Sequence, residues 1–84
     1  MQTYDAIVLH VHDGKRQFDR LEVPFLAGGQ QWEGYCWRAS RGGWLGAFLH
    51  EAAKSREKVT LTTEETNYGV QIVNAARIRQ EVVS

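Results

Sequence analysis

His10 and His12, Cys36 and the run Arg41-Gly42-Gly43 are the residues of this 84-residue chain whose types and spacing could do chemistry. An HxH pair on one strand puts two imidazoles on one face, where both can reach a single metal ion. A working metal centre needs a third and usually a fourth ligand, each held by further hydrogen bonds. His50 lies in a helical stretch and Cys36 faces away from the pair, so no metal and no cofactor are expected. Cys36 beside a histidine would make a nucleophile and its base. No histidine is near it in sequence and free cysteine is among the most buried residue types, so Cys36 reads as inert core. Glu64-Glu65 and Asp19-Arg20-Leu21-Glu22 read as turn and strand-surface charges, not as a paired acid and base. The chain is therefore expected to be no enzyme.

Arg41-Gly42-Gly43 stands before a helix, where free backbone N–H groups beside a guanidinium have a physical basis for holding one anion. The run lacks the lysine and hydroxyl residue of a nucleotide-binding loop and has no GxGxxG pattern, so a plain strand-to-helix turn is the stronger reading of this candidate anion site.

These residues border a denser cluster. WEGYCWRASRGGW, residues 32–44, holds all three tryptophans, the only cysteine and two arginines. With Cys36 inward, period two carries Trp32 and Gly34 inward and sends Glu33, Tyr35 and Trp37 to the other face, while Trp44 joins the helix as core. Tyrosine, tryptophan and arginine are enriched at interface hot spots and also stack on unpaired bases.

The elements that must position this cluster follow from periodicity. Ile7, Leu9 and Val11 alternate in one strand and Leu21, Val23 and Phe25 in the next, with His-Asp-Gly-Lys between them. A three-residue His12-Asp13-Gly14 loop, with Gly14 left-handed, puts all six on one face; a two-residue loop would split them. Pro24 cannot donate to a ladder, so its strand is expected to be at an edge or to end there. Gln31 to Ala39 reads as a third, aromatic-rich strand. Leu45, Phe48, Leu49 and Ala52 recur at helical spacing from Trp44 to about Arg56, and Phe48 and Leu49 are expected to anchor this helix. Val59 to Thr63 is a further strand, and Val70, Ile72, Ala76 and Ile78 alternate along the last.

The expected fold is α+β: a mostly antiparallel five-stranded sheet, order βββαββ, with one amphipathic helix on one face, in a single domain spanning residues 1–84. Alternation sends Tyr4, Val8 and Phe18, with Tyr35 and Trp37, to the face away from the helix, and Arg41 to its rim. That face is more apolar than solvent tolerates, so the sheet either curls toward a small barrel or is covered by another chain.

Ten basic side chains balance ten acidic ones. A neutral chain lacks the positive surplus that phosphate contacts reward, and it repels its own copies weakly. A small binding or assembly module acting through protein–protein contact is the expectation, with a homodimer the simplest partner and an accessory role in a phage or mobile element a natural setting. Nucleic-acid binding through Tyr35, Trp37 and Arg41 is the alternative. A lone cysteine suggests a reducing, cytoplasmic compartment, and neither a signal peptide nor a membrane span is apparent.

Overall fold

The computed structural model describes residues 1–14 and 19–78. Those residues form β1 (Gln2–Val8), β2 (His12–Asp13), β3 (Arg20–Ala27), β4 (Gln30–Trp37), helix α1 (Trp44–Ser55), β5 (Lys58–Thr66) and β6 (Gly69–Arg77). The fold is α+β, a mixed and mostly antiparallel sheet with one helix packed on it. None of the described helices is long and apolar enough to cross a membrane.

Local chemistry makes the β3–β4 hairpin. Gly28 and Gly29 sit at φ 60° and 77°, the pair of left-handed residues that a two-residue primed turn requires and that glycine adopts without strain. Pairing then runs without a break from Ala27↔Gln30 to Arg20↔Trp37. The β5–β6 hairpin closes on Thr66↔Gly69, and Thr66 Oγ1 accepts the Tyr68 N–H at 3.1 Å to hold its turn.

The rest of the sheet depends on distant partners. β1 pairs antiparallel with β5 from Gln2↔Thr63 to Ile7↔Lys58, and β4 pairs parallel with β6 at Gly34↔Val70 and Tyr35↔Gln71. A short contact of β1 with β3, Ile7↔Leu26 and Val8↔Phe25, returns the pairings to their start. The sheet is thus curled into a ring with two short junctions, short of a regular barrel.

The core fills this ring. Ala6, Val8, Val23, Phe25, Cys36, Leu61 and Ile72 are fully buried, and Leu45 and Leu49 of α1 complete the cluster at 0% exposure. Two glycines allow the close approaches. A Cβ on Gly46 would meet Leu21 Cδ1 at 2.9 Å, and one on Gly34 would meet Phe25 Cε1 at 2.7 Å, so the helix comes close over the Leu21 side chain and the Phe25 ring lies across β4.

Several expectations are corrected. The first hairpin does not use the three-residue loop: His12 pairs with Glu22 and Asp13 with Leu21, the Gly14 N–H donates to Arg20 O at 2.8 Å, and Gly14 is not left-handed. Consequently the opposite face of β1 is buried. Ala6 and Val8 join Leu21, Val23 and Phe25 inside, while Ile7, Leu9 and Val11 are only half-buried. The reason is that β1 takes its register from β5, where Tyr4↔Leu61 and Ala6↔Val59 place it, and not from the Asp-Gly turn.

On β6, Val73 has no partner between Thr62↔Asn74 and Thr63↔Ile72. This bulge shifts the alternation, so Ile72 and Ala75 are both buried and Ala76 is exposed. The two-residue β2 adds a sixth strand at the sheet's edge. Pro24 lies inside β3 and does not end it, because it falls in the gap between the β2 pairing at Leu21–Glu22 and the β1 pairing at Phe25–Leu26, where no strand asks for its missing N–H. Trp44, expected in the core, is 48% exposed. It opens α1 one residue before the buried Leu45, on the side of the helix turned to solvent.

Candidate interaction surface

The residues expected to share one outer face are divided by the curl of the sheet. Val8 is core. Tyr4 points inward as well, half-buried against Phe25 and Trp32 with ring centroids 6.5 and 5.6 Å away. Phe18 lies outside the described residues. Tyr35, Trp37 and Arg41 remain, and each has a different fate.

Tyr35 does face outward on β4, yet only 1% of it is exposed. Its own chain covers it. The guanidinium of Arg20 lies over the ring with Cζ 4.0 Å from the centroid, Trp37 packs edge-on at 5.6 Å, and the phenol oxygen shares a 2.7 Å hydrogen bond with Thr66 Oγ1. Arg20 is held in turn by Glu22, Nε to Oε1 2.8 Å. A cation stacked on a ring away from water stabilises by roughly 1–2 kcal/mol. This arrangement therefore seals the outer face and leaves Trp37 half-buried at its border.

Arg20 was missed in the sequence, although the Gly28-Gly29 turn contains the signal. A two-residue turn at that point places Arg20 opposite Trp37 and Glu22 opposite Tyr35, as observed.

Beyond Trp37 the chain turns into the helix. Arg38 bridges two aspartates, Nη2 to Asp13 Oδ1 at 2.6 Å and Nε to Asp19 Oδ1 at 3.3 Å, and its N–H donates to Asp19 O. The hydrogen bond to Asp13, followed by that carboxylate's charge, pushes the guanidinium further toward its charged form. Arg41, Gly42 and Gly43 then follow one another at positive φ, 51°, 66° and 87°, with Arg41 exposed. The anion reading of this run weakens, because the Gly42 N–H donates to Ala39 O and the Trp44 N–H to Arg41 O. Two of the amides that would face an anion are used inside the turn.

Trp44 emerges from this turn half-exposed, its ring tilted on Phe48 with centroids 5.1 Å apart. Phe48 itself rests on the core. The expectation that Phe48 and Leu49 anchor the helix holds through the fully buried Leu49, while Phe48 supports Trp44 from below.

The remaining chemical candidates stay apart. His10 and His12 are exposed, and no group of three or more potential metal ligands occurs among the described residues. Cys36 is fully buried opposite Leu21, and loss of solvation pushes its thiol up to about 11, against a smaller opposing pull from Arg38. Such a thiol carries almost no thiolate at neutral pH. Comparison with models of known protein families, with curated protein sequences and with solved structures finds no match to this chain, so the reading of its surface rests on its own geometry.

Proposed function

We propose that this protein is a small binding module that acts through protein–protein contact, without catalysis, using the β4-to-α1 connection as its contact surface. The observation that carries the reading is Trp44, 48% exposed and propped on Phe48 at the first turn of the helix. A large indole held rigidly in water loses little conformational entropy on binding and buries much apolar area, which is why tryptophan dominates interface hot spots. Arg41 and the half-buried Trp37 precede it in the same connection, and arginine and tryptophan are residue types that interfaces favour.

A second copy of the chain is the first partner to test, since zero net charge leaves little long-range repulsion between copies. Equilibrium sedimentation should give a mass that rises with concentration. Arg41→Ala combined with Trp44→Ala should weaken that association by roughly 2 kcal/mol, with the thermal midpoint nearly unchanged because both side chains are exposed. A chain that stays monomeric at millimolar concentration overturns self-pairing. Binding to single-stranded DNA or RNA that weakens steeply with salt would move the same aromatic and arginine pair to base stacking.

A further inference from the structure

The two ends of the curled sheet differ. Helix α1 packs against β1, β4 and β6, and its Gly46 meets Leu21 at the start of β3, so it occupies the end where β3 begins and β4 ends. At the opposite end, where β1 begins and β5 ends, no helix lies among the described residues. There a cavity of about 340 Å³ opens, lined by Tyr4, Trp32, Val70, Thr63, Gln2 and Glu65, with the exposed Met1 at its lip. Its size falls in the range of small-ligand sites, which occur in the mouths of curled sheets.

The walls of this mouth are fixed before any ligand arrives. Trp32 Nε1 donates to Ala27 O at 3.1 Å, the Tyr4 hydroxyl donates to Gln2 Oε1, and Thr63 Oγ1 donates to Gln2 O at 3.3 Å. Phe25, fully buried, supports both half-exposed rings from beneath, its centroid 6.4 Å from that of Trp32 and 6.5 Å from that of Tyr4. Aromatic faces carry the negative lobe of a quadrupole. Glu65 adds a carboxylate at the rim and has no ion pair among the described residues. No lysine, arginine or histidine side chain lines the cavity.

We infer that the open end of the sheet binds a small organic cation, an ammonium group with alkyl substituents, which sits on the Tyr4 and Trp32 rings with Glu65 balancing its charge. The alkyl groups match the apolar floor, the charge matches the rings and the carboxylate, and both are needed together. A metal ion would find one carboxylate and no further strong ligand, and an anion would meet Glu65.

Choline tests this in solution against 3,3-dimethylbutan-1-ol, its neutral isostere. In a nitrogen–proton NMR titration the full chain should show saturable shifts at the Trp32 indole N–H and at Tyr4, Thr63 and Val70, with Kd of roughly 1 mM or tighter. The neutral isostere should bind at least about tenfold more weakly, and Glu65→Gln, an exposed substitution that leaves the fold in place, should weaken choline severalfold. Equal binding of the isostere would make the mouth a plain apolar pocket and overturn the inference. So would indifference to Glu65→Gln, or shifts that never saturate by roughly 100 mM.

Discussion

The β3–β4 hairpin and the passage from β1 to β3 carry equally strong turn signals and fold in opposite ways. Gly28-Gly29 makes a two-residue turn, and eight residue pairs follow it in one register. Asp13-Gly14 makes no such turn: β2 pairs with β3 at two positions, β1 pairs with β3 at two more, and the register slips by one between them. A tight turn dictates register where both its residues must be left-handed and the flanking strands have no better partner. Strand β1 has a better partner in β5, so the turn after it yields.

The largest test of this contrast is a pair of truncations. Phe25→Ala empties the centre of the hairpin's inner face and should cost roughly 3–5 kcal/mol, whereas Ile7→Ala, on the outward side of β1, should cost about 1 kcal/mol. Chemical denaturation of both variants measures the difference. Equal losses would mean that β1 presents its odd-numbered residues to the core after all.

A smaller effect comes from Cys36, which sits in the same hairpin. Its thiol holds its proton to about pH 11 in the folded chain, against an ordinary value of 9.0 once the chain unfolds. The neutral form is the one the fold favours, so this contribution is complete below pH 9, and it is lost as pH rises from there toward 11. Stability measured across that range should fall in the wild type and fall less in Cys36→Ala. At neutral pH a thiol reagent should label Cys36 only as fast as the hairpin opens. Immediate labelling of the native protein would refute its burial.

The smallest effect separates the two turns directly. Gly28→Asn should stabilise by roughly 0.5 kcal/mol, because asparagine accepts positive φ and restricts the unfolded chain, and nothing lies within 4 Å of the added Cβ. Gly14→Asn should bring no gain, since its Cβ would stand 3.0 Å from both Arg20 O and Glu22 Oε1. Thermal midpoints of the two variants decide it.

Part of the surface was legible in the same local terms. Alternation from an inward Cys36 correctly turned Tyr35 and Trp37 outward, but it could not tell that Arg20 would cover Tyr35, because that contact joins two strands. Trp44 reads as core from its hydrophobicity alone. Only the docking angle of α1, set by Leu45, Leu49 and Gly46, leaves the indole in water.

By itself the sequence determined the α+β class, the helix and its buried stripe, the aromatic-rich strand and the burial of Cys36, because each depends on neighbours within one turn or one strand. Tertiary structure decided the phase of β1, the bulge at Val73, the closing of the sheet and the open mouth opposite the helix. The phase of β1 depends on pairing with a segment some fifty to sixty residues away, as in Gln2↔Thr63 and Ala6↔Val59, and period two is the same whichever face a distant partner buries.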